Sequence, residues 1–192
     1  MTQTLILLFH PDIGKSKANA ALQSAARTVP DTLVVDMQRR YPGGVIDMQT
    51  DGAAEARALL DADRIVLQFP VQWYSTPPLL KAWQDAVLTR MYYIHSDTEG
   101  NRLAGTPLMI AATAGNIEAA YGRGGANHFT MDELLAPLKA TARRCGLPWH
   151  PPHLVFRADK LEPAELAAAK DSYVLALRAF IAATPAHNRK AA

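Results

Sequence analysis

Five short apolar runs punctuate the chain at positions 5–9, 32–36, 65–67, 106–112 and 149–156. The first, Leu5-Ile6-Leu7-Leu8-Phe9, has no polar alternation, which predicts a strand buried on both faces of a parallel sheet. The third, Ile65-Val66-Leu67, breaks at Phe69-Pro70 into a loop carrying Gln72, Trp73, Tyr74 and Ser75. Helical periodicity separates the runs. Ala18, Ala21, Leu22 and Ala25 share one face after the first strand, and Ala56, Leu59 and Leu60 point inward over 51–62. Leu79, Leu80, Trp83 and Val87 form a stripe in a helix that starts beside Pro77-Pro78. Thr130 with Glu133 reads as a capping box opening a helix to 144, kinked at Pro137, with Leu134, Leu135, Leu138 and Ala142 on its apolar face. Residues 162–182 close the chain with Leu166, Ala169, Tyr173, Leu177 and Phe180 inward. Strands alternating with helices predict an α/β fold with a parallel sheet covered on both faces. The segment 91–105 reads as a polar loop holding Tyr92, Tyr93 and His95, and 184–192 as a frayed tail behind a single domain over 1–183.

Composition narrows the classes. A chain of 192 residues with 49% apolar content suits one domain with a sizeable core. The net charge of +2, with both signs scattered, argues against a nucleic-acid surface. The N-terminal ten residues lack the basic start of a signal peptide, and no apolar stretch is long enough to span a bilayer. The lone cysteine, Cys145, excludes an internal disulfide and a cysteine-based metal cage. A reduced, cytoplasmic protein is therefore expected. Cys145 reads as buried packing, because no base partner is implied. His150 and His153 have no third ligand at a usual zinc spacing, so no metal site is expected.

Candidate chemistry lies at the strand tips, above all after the first and third strands. The first strand ends in His10-Pro11, and a helix follows a polar loop with Ser16 or Asn19 as its cap. A strand–loop–helix entry presents free backbone N–H groups and a positive dipole end to a phosphate, and Ser16, Lys17 and Asn19 can add to that cradle. An ordinary capped helix would carry the same residues. No G-x-G-x-x-G motif supports a dinucleotide site. At the fourth strand, Thr113-Ala114-Gly115-Asn116 is small enough for backbone amides to approach a ligand closely, and a plain strand-to-helix turn is the alternative. Tyr93 and His95 read as structural or exposed rather than catalytic.

The stretch FPVQWYSTPPLLKAWQDAVL, residues 69–88, resembles the signature of the flavodoxin-like NAD(P)H:quinone oxidoreductases, nearest to the bacterial ancillary proteins of glutathione-regulated potassium efflux. The resemblance runs from about residue 5 to about residue 180, looser outside this motif. It implies a flavodoxin-like three-layer sandwich with strand order 2-1-3-4-5. It also implies a flavin, FMN with FAD as the alternative, and NAD(P)H as co-substrate for two-electron reduction of a quinone. Carried over by position, Ser16, Lys17 and Asn19 would hold the flavin phosphate, and His10 and Ala18 would also contact the cofactor. Pro70, Val71, Gln72, Trp73 and Tyr74 would line one side of the ring, and Thr113, Ala114, Gly115 and Asn116 the other. Tyr121 and His128 would stabilise charge on the ring; His128 needs a one-residue shift, and Asn127 is the strict match. Gly122-Arg123-Gly124-Gly125 reads as a lid. The matching segments in relatives pack as homodimers, with residues 37–47 expected against the partner. Departures occur at 90–95, where relatives carry glycine, and at Ala114 and Asn116, which replace Thr and Gly. A regulatory flavoprotein docked on a membrane potassium-efflux system is the second reading, and a flavodoxin-type electron carrier the third.

Overall fold

A computed structural model describes residues 3–184. Its sheet has five parallel strands: β1 (Thr4–Leu8), β2 (Thr32–Asp36), β3 (Arg64–Pro70), β4 (Leu108–Thr113) and β5 (His153–Val155). They lie in the order β2-β1-β3-β4-β5, as the resemblance implied. The helices are α1 (Lys17–Ala26), α2 (Met37–Arg40), α3 (Asp51–Asp61), α4 (Pro78–Trp83), α5 (Asn101–Leu103), α6 (Met131–Leu134), α7 (Ala136–Arg144) and α8 (Pro163–Ala183).

Strand side chains alternate between faces, so each apolar run feeds two cores. Leu5, Leu7, Ile65, Leu67 and Ile110 pack against α3, α4 and α7 through Leu59, Leu80, Trp83 and Leu138. Ile6, Val66, Met109 and Ala111 pack against α1 and α8 through Leu22, Tyr173, Leu177 and Phe180. Each buried Leu, Ile or Phe contributes about 1.5–3 kcal/mol relative to exposure. This two-sided burial explains why β1 carries no polar residue after Thr4.

The segment expected to be a polar loop is instead helical. Wide π-type turns over Gln84–Leu88, Arg90–Ile94 and Ser96–Gly100 continue α4 towards α5. The Arg90 guanidinium bonds Glu99 at 2.9 Å and Gln49 Oε1 at 3.2 Å, tying two of these turns together. Gly100 permits the packing, because a Cβ there would lie 2.6 Å from the Met91 carbonyl oxygen. The helix expected over 130–144 is divided at Leu135, with the Thr130/Glu133 capping box in place and Pro137 in the first turn of α7. β5 is shorter than expected, since Pro151 and Pro152 offer no donors for a ladder. Thr184 is buried and accepts from Arg64 Nε at 2.6 Å, so it belongs to the folded body, while positions 185–192 of the expected tail lie outside the described residues.

One buried carboxylate was not foreseen. Glu55 on α3 is 1% exposed and accepts from Arg40 at 2.6 Å, the Tyr41 hydroxyl at 2.8 Å and Trp83 Nε1 at 3.0 Å. It joins α3, α4 and the segment after β2. Cys145 is buried as expected, and burial pushes its thiol pKa up. His150 packs edge-on to Phe180 and His153 stacks on Tyr173, and among the described residues no cluster suited to a metal ion occurs. No described helix is long and apolar enough to cross a membrane.

Candidate functional site

The carboxyl tips of β1, β3 and β4 converge on a cleft of about 340 Å³ at the position where strand order reverses, the crevice that holds ligands in doubly wound sheets. His10, Ser16, Lys17 and Asn19 come from β1 and α1, Pro70 and Val71 from β3, and Thr113, Ala114 and Gly115 from β4. Ala18 buries its methyl group, and its position in the first turn of α1 leaves its N–H without an intrahelical acceptor.

The cleft is polarised towards donors. Ser16 Oγ caps α1 by accepting from Asn19 N at 3.1 Å, which leaves the hydroxyl proton to donate elsewhere. His10 Nδ1 accepts from Asp12 N at 3.1 Å, so a neutral imidazole carries its proton on Nε2. Burial holds the His10 pKa below its ordinary value, partly opposed by Asp12. Thr113 Oγ1 accepts from Asn19 Nδ2 at 2.8 Å, freeing its proton likewise. Lys15 is paired with Asp12 at 2.9 Å, whereas Lys17 makes no ion pair among the described residues. Three donors with occupied acceptor functions, a helix N-terminus and the Lys17 ammonium give the cleft a positive, donor-rich character. The Asn19 amide is turned inward, so this side chain ties the two loops together.

The loop after β3 is a tight turn. Gln72 and Ser75 exchange backbone bonds of 2.9 and 3.0 Å, and Trp73 and Tyr74 between them both have left-handed backbone, at φ 46° and 64°. Such residues store roughly 1–2 kcal/mol each in an L-amino acid. The geometry projects Trp73 outward, 94% exposed, while the Tyr74 hydroxyl reaches Asn127 Oδ1 at 3.3 Å. Because Asn tolerates this backbone, Trp73→Asn is expected to raise the unfolding free energy of the free protein by about 0.5–1 kcal/mol, read from urea denaturation. An unchanged or lower value would mean that the turn is not strained.

A second compartment of about 230 Å³ adjoins the cleft through Val71 and Gly115 and is walled by Trp73, Tyr74, Asn116, Tyr121 and Asn127. Tyr121 is set by its ring contact with Phe156 at 5.5 Å. His128 is exposed and does not line this compartment, whereas Asn127, the strict spacing match, does. Gly125 closes a tight turn here, since a Cβ would lie 2.2 Å from the Ala119 carbonyl oxygen. On the other side of the aromatic turn lies a cavity of about 470 Å³ that shares Val71 and Tyr74 and includes Phe69, Leu88, Tyr92 and Arg144 in its wall. Burial pushes the Tyr92 hydroxyl pKa up, and this group donates to the Cys145 carbonyl at 2.8 Å.

Sequence reasoning missed Lys15, Ala158 and Asp159 in the wall of the cleft. The last two arrive from the β5–α8 connection, held by Ala114 N to Val155 O at 2.8 Å and Ala158 N to Ala114 O at 3.0 Å. No local signal marks such contacts across some forty positions. Only the strict spacing of Asn127 pointed to that residue.

Comparison with known proteins agrees with this architecture. The flavodoxin-like fold family matches residues 2–177. The glutathione-regulated potassium-efflux system ancillary protein KefF of Salmonella newport is 41% identical over 165 residues, covering 81% of this chain and 85% of its own. The crystal structure of general stress protein 14 from Treponema denticola in complex with FMN superposes with a TM-score of 0.81 at 32% identity, over 92% of this chain and 98% of that one. An NADPH-quinone reductase from P. pentosaceus superposes with a TM-score of 0.76 at 27% identity, over 91% and 97% of the two chains. With its strand order, its donor-lined crevice and a match over most of its length, the chain belongs to the flavodoxin-like fold family.

Proposed function

We propose that this protein binds FMN, with FAD as the alternative, and reduces quinones with NAD(P)H in two alternating half-reactions. The observation that carries the proposal is the donor-polarised cleft at the N-terminus of α1 opening into an aromatic-walled slot. A phosphorylated tail fits the first part and a flat ring the second. FMN, when bound, supplies the two-electron redox chemistry. Ser16, Thr113, Lys17 and His10 bind the anionic tail. Trp73 and Tyr74, held by their turn, flank the slot with the 114–116 loop. Tyr121, with Asn127 rather than the exposed His128, stabilises developing negative charge by hydrogen bonding. The adjoining cavity, sharing Tyr74, suits a flat apolar acceptor. The FMN complex of the Treponema protein and the quinone reductase from P. pentosaceus support the cofactor and the acceptor class. Exposed Trp73 and Tyr93 in the walls of these cavities suit a second copy of the chain, which would complete the site as a homodimer.

The purified protein is expected to be yellow and to release FMN identifiable by mass. It should oxidise NADPH or NADH with menadione as acceptor. A colourless protein that neither FMN nor FAD reconstitutes would end the proposal. The likeness to KefF favours a second role, as a cytoplasmic subunit docked on a membrane potassium-efflux protein. Co-purification with such a transporter tests it.

A further inference from the structure

Beneath the cleft runs a line of buried polar side chains that ends at Thr113 in its wall and begins at groups that face no ligand. Gln68 lies within β3, 0% exposed, between Leu67 and Phe69. Its Nε2 donates to the Asn19 carbonyl oxygen at 3.1 Å and lies 3.4 Å from Asn19 Oδ1. Its Oε1 accepts from the Tyr173 hydroxyl on α8 at 3.3 Å, which fixes the end of the amide that faces Asn19. Asn19 in turn donates Nδ2 to Thr113 Oγ1 at 2.8 Å. The line thus crosses from α8 through β3 and α1 to the tip of β4, and all four residues are buried.

A glutamine in a dry strand is costly unless its bonds are made, and a satisfied buried network restricts geometry. The consequence falls on Thr113. Its oxygen is occupied by Asn19, its hydroxyl donates to no protein group among the described residues, and it lines the cleft.

We infer that Gln68 is a positioning residue. Through Asn19 it sets the orientation of Thr113, so that this hydroxyl donates into the cleft to bound FMN, while Gln68 itself touches no ligand. The inference rests on the flavin reading above. A purely structural Gln68 would contribute to stability without passing through the Thr113 hydroxyl.

A double-mutant cycle separates the two accounts, with FMN affinity read from quenching of flavin fluorescence. Thr113→Val is expected to weaken FMN about tenfold, the scale of one neutral hydrogen bond. Gln68→Met, close in shape, should weaken it about fivefold through the loss of that bond's alignment. Combined with Thr113→Val, it should cost less than about twofold more, because the hydroxyl it orients is gone. On a Thr113→Ser background, which keeps the hydroxyl, the Gln68→Met loss should return. Additive losses in the Val double mutant, or unchanged FMN affinity in Gln68→Met, would overturn the inference while leaving the cofactor proposal intact. Wild-type protein that binds neither FMN nor FAD would overturn both. If Gln68→Met does not fold, Tyr173→Phe takes its place in the cycle. It should lose about two- to threefold in FMN affinity, and none on the Thr113→Val background; a loss persisting there would overturn the inference.

Discussion

Ser16→Asp is expected to abolish FMN binding at micromolar concentrations while leaving the fold about as stable as the wild type. Asp caps helices as well as Ser does, and its carboxylate can accept from Asn19 N as Ser16 Oγ does at 3.1 Å. Towards an incoming phosphate the same change is strongly adverse. A unit negative charge about 4 Å from another costs roughly 4 kcal/mol at an effective dielectric constant of 20, which is several hundred-fold in affinity. The hydroxyl donor is lost as well. Riboflavin carries no phosphate and should lose little. Titration with both flavins, alongside urea denaturation, checks the expectation. Equal losses for FMN and riboflavin would show that the phosphate does not lie at the N-terminus of α1.

The second large effect is on stability. Glu55→Ala should lower the unfolding free energy by about 3–4 kcal/mol, because it strands several partners at once. The Tyr41 hydroxyl and Trp83 Nε1 lose their acceptor in a buried setting. Arg40 is 42% exposed and recovers water, so its ion pair accounts for the smaller part. Trp83 also packs edge-on against Phe9, with ring centroids 5.9 Å apart, so loosening it disturbs the core beneath β1. Glu55→Gln keeps an acceptor and should cost only about 1–2 kcal/mol. The check is the urea midpoint at unchanged slope. A loss below about 1 kcal/mol for Glu55→Ala would mean that water replaces the carboxylate in the hub.

Legibility in the sequence followed the range of the forces involved. The apolar runs marked every strand, most clearly β1, β3 and β4, because burial on both faces of a parallel sheet leaves little room for polar residues. Ser16, one of two candidate caps, and the Thr130/Glu133 capping box were readable because their partners lie three positions away. The turn at Trp73-Tyr74 was expected as a loop, but its left-handed backbone was not, since aromatic residues carry no local preference for that conformation. The π-type turns through 91–100 were read as a polar loop because Arg90 and Glu99 look like ordinary exposed charges until the fold pairs them and brings Gln49 and Gly52 beside Arg90.

By itself, then, the sequence determined the α/β alternation, the capped entry into α1 and the small loop after β4, all local consequences of periodicity and capping. Only the tertiary structure decided that Asn19 spends its amide on Thr113, that Asn127 rather than His128 reaches the slot, and that the 158–159 segment closes the cleft. These outcomes depend on hydrogen bonds and close contacts between positions tens of residues apart. Chain folding brings such groups together, and no local pattern encodes them.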